Sequence, residues 1–285
     1  MPAAPFTFVL CADDFALSPA VSRGIIEALG AGALTATGAM TNRPAWAADA
    51  RLLAPFAGRA DLGLHLNLTL GAPLTKMPRL APGGALPSAG ALIRAALARR
   101  LPEAEIRAEI RAQLAAFAQG LGREPDFLDG HQHVHVLPGL RVWALEALAA
   151  RGLAGRCYVR DSADTARRIF ARRVEAPKAS LVAGLAAGFA RAAAARGFAV
   201  NSGFAGFSAF DPKRAYAADF ASYLAAPGAR HLVMCHPGHV DAELTAADPV
   251  TASRENELRF LTSPAFPALL GAHGARLARF ADLSR

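Results

Sequence analysis

Four apolar segments of this sequence each run into acidic or histidine residues, and this recurrence constrains the fold more than any other feature. An apolar run that ends in titratable residues is typical of a buried strand whose end reaches a polar site. In chain order the titratable residues are Asp13 and Asp14, then His65, then the histidines of residues 131–135, then His236. Strands that alternate with helical patterns favour a parallel sheet.

The pattern predicts one α/β domain over residues 1–285, built as a distorted (β/α) barrel of the TIM-barrel type with mostly parallel strands. Strands are predicted at residues 6–12, 35–40, 61–69, 126–135, 156–160, 198–202, 231–236 and 276–280. Ser18 is predicted to cap a helix that begins at Pro19, and a longer helical region over residues 89–121 is interrupted at Pro102. Roughly seven or eight strand–helix units favour a barrel over an open sheet.

The adjacent carboxylates Asp13 and Asp14 are costly inside a fold unless a cation or a reaction employs them. Neighbouring residues of a strand face opposite ways, but at the end of a strand both can turn toward one site. One carboxylate can then bind a metal while the other handles a proton. The alternative is an acidic pair that the dipole of the following helix favours.

The histidines at 131, 133 and 135 give the stronger indication of chemistry. At every second position of an extended segment they would share one face and line a single wall. Carboxylate and imidazole ligands suit a catalytic divalent metal, because they leave positions for water. The spacing does not decide which histidine binds the metal, and His65 alone could be a core residue. His236 lies between a strand and a turn, where it suits a general acid or simply a turn residue.

Composition and the absence of certain motifs argue against several classes of function and indicate where the protein works. The net charge of +8 comes from scattered arginines with no basic stretch interleaved with aromatic residues, so no nucleic-acid partner is expected. Three widely spaced cysteines indicate reduced thiols and a cytoplasmic protein. The N-terminus has no secretory pattern, and Arg191 and Arg196 interrupt the most apolar stretch, so no stable membrane insertion is expected. Motifs for a serine nucleophile or a nucleotide cofactor are absent from the sequence.

Four motifs in order, ADDF at 12–15, GLHLNLT at 63–69, LDGHQHVH at 128–135 and MCHP at 234–237, resemble the YdjC-like carbohydrate deacetylases. This family includes the chitooligosaccharide deacetylases and the hopanoid-biosynthesis deacetylases. The resemblance implies a distorted barrel, a homodimer and one divalent metal ion, Mg²⁺ or Zn²⁺. It also implies Asp14, His65 and His131 as metal ligands, Asp13 as general base and His236 as general acid. The family usually has glycine where this chain has Ala16, a substitution that costs stability if φ is positive there.

The expected function is metal-dependent hydrolysis of the N-acetyl group of an amino sugar, of chitooligosaccharide type, which releases acetate. One alternative is the same reaction on a lipid-linked amino sugar of hopanoid type. An apolar rim near the loop at residues 76–90 would favour it, whereas a groove lined by Trp and Tyr would favour soluble oligosaccharides. Less favoured alternatives are a metal-dependent phosphodiesterase, which normally needs two metals, and a non-catalytic metal-binding protein.

Overall fold

A parallel sheet forms the centre of the computed structural model, which describes residues 5–283. Its strands are β1 (Phe6–Phe15), β2 (Ala36–Ala39), β3 (Asp61–Leu66), β4 (Phe127–Gly130), β5 (Tyr158–Val159), β6 (Ala199–Val200), β7 (Phe204–Ala205), β8 (His231–Cys235) and β9 (Ala275–Leu277). The order is β6-β5-β4-β3-β2-β1-β8-β7, and β9 pairs with the start of β1. Every ladder between these strands is parallel.

The sheet curls into a distorted, incomplete barrel. Its two outermost strands, β6 and β7, follow each other in the chain with residues 201–203 between them. A chain of that length spans at most about 14 Å from the end of one strand to the start of the other, so the two sheet edges must lie near each other. No ladder joins β6 to β7 within residues 5–283. The predicted α/β fold with parallel strands in a distorted barrel is confirmed.

Helices follow most of the strands and cover the outside of the sheet. They are α1 (Pro19–Gly30), α2 (Trp46–Leu53), α3 (Ala89–Leu97), α4 (Glu103–Leu121), α5 (Leu140–Ala150), α6 (Ala166–Arg172), α7 (Ala176–Leu185), α8 (Phe189–Ala194), α9 (Tyr216–Tyr223), α10 (Ala242–Ala247), α11 (Ala252–Leu261) and α12 (Ala265–Ala272). As predicted, α1 begins at Pro19, and the Ser18 hydroxyl accepts a hydrogen bond from the Val21 amide at 3.3 Å. Among the described residues, no helix has the length and apolarity needed to cross a membrane.

The strand that was predicted over residues 126–135 is shorter than expected. β4 ends at Gly130, and His131–Val136 form a 3-10 helical segment instead of an extended one. Gln132 and His133 adopt positive φ angles of 51° and 60°, which turn the chain immediately after the strand. A methyl group on Gly130 would lie 3.1 Å from the His135 amide nitrogen, so glycine permits the tight turn.

The loop at residues 76–90 is held against α4 by two glutamates. Glu105 accepts hydrogen bonds from the amides of Arg79 and Leu80, and Glu109 accepts them from the amides just before the loop. Ala89, where the loop runs into α3, lines the central cavity. The hydrogen bonds to α4 give the loop a defined path.

Candidate metal centre and active site

A bulge in β1 brings Asp13 and Asp14 to the same site. The register of β1 against β2 shifts between Ala12 and Phe15, and Asp14 has a φ angle of 71°. An extra residue interrupts the alternation of side chains along a strand, so two neighbours can face one side. Both carboxylates therefore line one cavity. Ala16 also has a positive φ, 69°, and the departure from glycine costs backbone stability of about 1–2 kcal/mol.

The three residues expected as metal ligands lie together and are buried. Asp14 Oδ1 is 2.9 Å from His131 Nδ1 and 3.3 Å from His65 Nε2, and these donor atoms all lie within 4.8 Å of one another. One carboxylate and two imidazoles leave coordination positions open for water and substrate, as catalytic sites require. The donor set therefore fits one divalent ion.

Neighbouring groups orient two of the candidate ligands, His65 and Asp14. Asp129 Oδ1 lies 2.7 Å from His65 Nδ1, which leaves Nε2 facing Asp14. A methyl group on Gly38 would lie 3.0 Å from that Asp129 oxygen, so glycine makes room for the pair. Arg254 donates from Nη2 to the second oxygen of Asp14 at 2.8 Å. The ligand set thus has the supporting contacts that metal sites need to hold their geometry.

Arg160 lies at the centre of the carboxylates and is fully buried. It donates to both oxygens of Asp13 at 2.7 and 2.5 Å, pairs with Asp129 and contacts Cys11 Sγ at 3.0 Å. The donor atoms of these three partners lie close enough to hold a second ion, but the guanidinium already supplies the positive charge between them. The arrangement supports a single metal centre.

The charges fix which groups are ionised. Burial raises the pKa of Asp13, but the charge and hydrogen bonds of Arg160 outweigh burial and hold it well below its usual value. Burial likewise raises the pKa of Asp14, and His131 and Arg254 bring it well below normal. Burial lowers the pKa of His65, but Asp129 and Asp13 raise it to about 10. The surplus of carboxylate charge therefore attracts an additional positive charge, either a proton on His65 or a metal ion.

His236 follows β8 and lines the same cavity. Burial lowers its pKa to about 4, against the opposing charges of Asp14 and Asp13. The backbone amide of His236 donates to Glu257 on α11 at 2.6 Å, and Phe210 packs edge-on against the ring at 5.1 Å. Burial also raises the pKa of Glu257, to about 7. The resting imidazole is therefore neutral and held in place through its backbone.

The cavity has a volume of about 390 Å³, with a polar floor and an aliphatic wall. The aliphatic wall consists of Ile93, Val136, Leu137, Leu181, Leu185 and Val250. Two of its members lie one turn apart on α7, and Leu181 is 65% exposed. Neither Trp nor Tyr occurs among the described residues that line the cavity.

The expectation that His131, His133 and His135 line one wall is wrong, because the chain turns after Gly130. His131 joins Asp14 and His65, whereas His135 is buried beneath them and its Nε2 lies 2.7 Å from the Arg160 carbonyl oxygen. His133 faces the cavity from a different side, against Phe204 and Phe207.

Sequence reasoning missed Arg160, Arg254 and Glu257 as parts of the site. Arg160 directly follows the apolar strand β5 and so repeats the pattern of an apolar run that ends in a polar residue. Applied to arginine as well as to acidic and histidine residues, that pattern would have found it. Arg254 and Glu257 lie on α11, where charged residues are ordinary on a helix surface, and the sequence does not distinguish them.

Comparison with known proteins places this geometry in a family. The model of the family described as YdjC-like protein matches residues 7–272. A carbohydrate deacetylase of Homo sapiens is 32% identical, with 96% of this chain and 90% of that protein covered. A chitooligosaccharide deacetylase of Klebsiella pneumoniae (strain 342) is 34% identical, with 96% and 98% covered. These relatives are, by name, hydrolases that act on carbohydrates.

A solved structure from Enterococcus faecalis V583, described as a candidate cellobiose-phosphate cleavage protein, has the same fold. It superposes with a TM-score of 0.73 at 22% identity and covers 99% of this chain and 100% of that chain. The family match and the full-length relatives confirm the resemblance that the four motifs indicated. The chain belongs to the YdjC-like family.

Proposed function

We propose that this protein hydrolyses the N-acetyl group of an amino sugar with the help of one divalent metal ion, Zn²⁺ or Mg²⁺. The observation that carries the proposal is the grouping of Asp14, His65 and His131 beside Asp13 and His236 in one cavity. The full-length relatives named as carbohydrate and chitooligosaccharide deacetylases support the substrate class.

Asp14, His65 and His131 would hold the metal, which when bound supplies a Lewis acid that polarises a carbonyl and acidifies water. Asp13 acts as the general base. Arg160 keeps it ionised, so it can accept a proton from the attacking water. Because its lowered pKa makes Asp13 a weak base, proton transfer to it needs a water whose own pKa a bound metal would lower.

His236 acts as the general acid toward the departing nitrogen. In the resting site it is neutral, with its pKa lowered by burial. Negative charge that develops on the acetamide raises the pKa of the neighbouring ring, so His236 takes up the proton that Asp13 removed from the water and then passes it to the nitrogen. Proton transfer to nitrogen is needed because an amine anion leaves poorly. The products are acetate and a free amino sugar.

The same site supports a phosphodiesterase less well. Two-metal hydrolysis needs a second ion about 3.5–4 Å from the first, and Arg160 already supplies positive charge at the neighbouring carboxylate cluster. Arg254, one of the cationic residues that line the cavity, is engaged with Asp14 and Asp248. These contacts favour amide hydrolysis.

The wall of the cavity favours a lipid-linked amino sugar as a second candidate substrate. Sugar-binding grooves stack rings on aromatic side chains. Here Phe210 lines the cavity and packs against His236, whereas an aliphatic surface borders the rest and Leu181 is exposed on it. Ile93 extends this surface on the side where the loop at residues 76–90 meets α3. An aglycone with an apolar chain would bury this surface.

We retain as proposals a single domain over residues 1–285, a homodimer, a cytoplasmic location and the lack of a nucleic-acid partner. An acetate-release assay tests the function directly. Chelated protein would be reconstituted with Zn²⁺ or Mg²⁺ and offered N-acetylated oligosaccharides and alkyl glycosides of N-acetylglucosamine. Release from neither class with either metal contradicts the proposed function, and faster release from alkyl glycosides favours the lipid-linked substrate.

A further inference from the structure

We propose that His133 is a substrate-binding residue, whose Nε2–H donates a hydrogen bond to an oxygen of the sugar that enters the cavity. This inference rests on the proposed function and assigns a residue that neither the metal centre nor the proton transfers employ. His133 lines the cavity whose floor carries Asp13, Asp14 and His236.

Backbone conformation aims the His133 ring. His133 and the preceding Gln132 both have left-handed φ angles, of 60° and 51°. Two consecutive non-glycine residues in this region are strained, and such strain persists where the surrounding structure imposes it, often at ligand sites. The turn separates the three histidines, so that His133 reaches the cavity independently of His131.

Two phenylalanines that contact each other and one hydroxyl hold the ring in one orientation. Phe204 meets it edge-on at 5.8 Å and 89°, and Phe207 packs at 5.4 Å. The Ser162 hydroxyl lies 3.1 Å from Nδ1. A ring that is packed against two aromatic neighbours and held at one nitrogen has lost much of its rotational freedom before a ligand arrives, and this lowers the entropic cost of binding.

The hydrogen bond with Ser162 determines which nitrogen of the His133 ring carries the proton. Ser162 is 1% exposed, and its hydroxyl oxygen has His133 Nδ1 as its partner within residues 5–283. A buried hydroxyl proton that finds no acceptor is costly, so Ser162 donates to Nδ1. The ring proton then lies on Nε2. If the ring were charged, Nε2 would also carry a proton, so the assignment does not depend on the protonation state.

The Nε2 atom is free to meet a ligand. Within the described part of the chain it has no protein partner, and it is not among the buried polar atoms. A donor at a cavity wall suits the hydroxyl and carbonyl oxygens of an N-acetylated sugar. The lining also contains the donors Gln132, Lys178 and Arg254, of which Arg254 is engaged with Asp14, so the His133 donor contributes to the orientation of the sugar over the polar floor.

Two substitutions separate hydrogen bonding from packing. His133→Asn suits the left-handed backbone but withdraws the donor from the Nε2 position, whereas the amide nitrogen of His133→Gln reaches close to that position. We expect about a tenfold rise in KM for His133→Asn with little change in kcat, and recovery to within about threefold in His133→Gln. Ser162→Ala should give a smaller rise. His239→Asn, at a half-buried histidine outside the cavity lining that contacts Glu27, is the matched control.

A second readout is the Kd of an N-acetylated chitodisaccharide for the chelated, metal-free variants, measured by calorimetry. The Kd should follow the same order as KM, while metal content and thermal unfolding stay unchanged. Equal losses in His133→Asn and His133→Gln would show a packing role and overturn the proposal, as would wild-type protein that binds no saccharide. If wild-type protein binds the saccharide but releases no acetate with either metal, the proposed function fails, and the Kd series still decides the role of His133.

Discussion

Replacement of Arg160 by methionine tests the electrostatic arrangement of the site. Arg160 is fully buried and pairs with both Asp13 and Asp129. Methionine is flexible enough to fill much of the same space, so the substitution removes the charge with little loss of packing. Asp13 then remains buried without its guanidinium partner, and Asp129 keeps its contact with His65.

The expected loss is large but compatible with folding. Removal of one partner of a buried ion pair costs about 3–5 kcal/mol, because it leaves an uncompensated charge in the interior. The free energy of unfolding of a natural domain is about 5–15 kcal/mol. The Arg160→Met variant should therefore fold at neutral pH with a markedly lower free energy of unfolding.

The pH dependence gives the sharper test. In the wild-type protein the folded pKa of Asp13 is depressed, so its contribution is present above the unfolded value of about 3.9 and is lost only as pH falls through the folded pKa. Without Arg160, burial raises the carboxyl pKa instead. The folded variant then holds a proton that the unfolded chain has released, and its stability falls as pH rises by about 1.4 kcal/mol per unit for each carboxyl affected.

Urea unfolding of the chelated proteins between about pH 5 and pH 8 measures this difference. The gap between wild type and Arg160→Met should be smallest at the acidic end and widen toward the alkaline end. Arg151→Met is the control, because Arg151 forms a partly exposed pair with Glu124 and should cost no more than about 1 kcal/mol at any pH. A gap that does not change with pH would refute the argument that Arg160 is the charge that keeps the buried Asp13 carboxylate ionised.

Four further predictions concern the metal, the proton transfers and the substrate. Elemental analysis of the His65→Ala, His131→Ala double variant should show loss of the metal, and retained stoichiometry would contradict the ligand assignment. Asp13→Asn should keep its metal but lose turnover by about 10²- to 10⁴-fold in acetate release; loss of the metal instead would exchange the roles of the two aspartates. His236→Ala should impair an N-acetyl sugar far more than an activated acetyl ester, because a phenolate leaves without protonation; equal losses would assign it another role. Leu181→Asp should raise KM for alkyl glycosides but not for oligosaccharides, whereas Leu97→Asp, equally exposed but outside the cavity lining, should change neither.

The sequence determined the alternating architecture, and the resemblance of its motifs to the family implied the three candidate ligands. Apolar runs with titratable ends locate β1, β3, β4 and β8, because a buried parallel strand needs a continuous apolar segment whatever its neighbours are. The end of each strand marks the edge where loops meet. Asp14, His65 and His131 could therefore be expected at one edge of the sheet before any distance was known.

Only the tertiary structure decided how these side chains are oriented and paired. The β1 bulge turns Asp13 and Asp14 to one side, and the turn after Gly130 separates His131 from His133 and His135. A prediction from local periodicity assumes a regular backbone and therefore misses such interruptions.

The pairing of Arg160 with Asp13 joins residues that are 147 positions apart in the chain. Arg254 on α11 likewise pairs with a distant residue, Asp14, which is 240 positions away in the chain. Whether a buried carboxylate is a metal ligand, a base or half of an ion pair depends on which charge lies within about 4 Å, since Coulomb energies fall with distance and rise in the dry interior. The sequence specifies which groups can act at the site, and the packing of distant elements decides what each of them does.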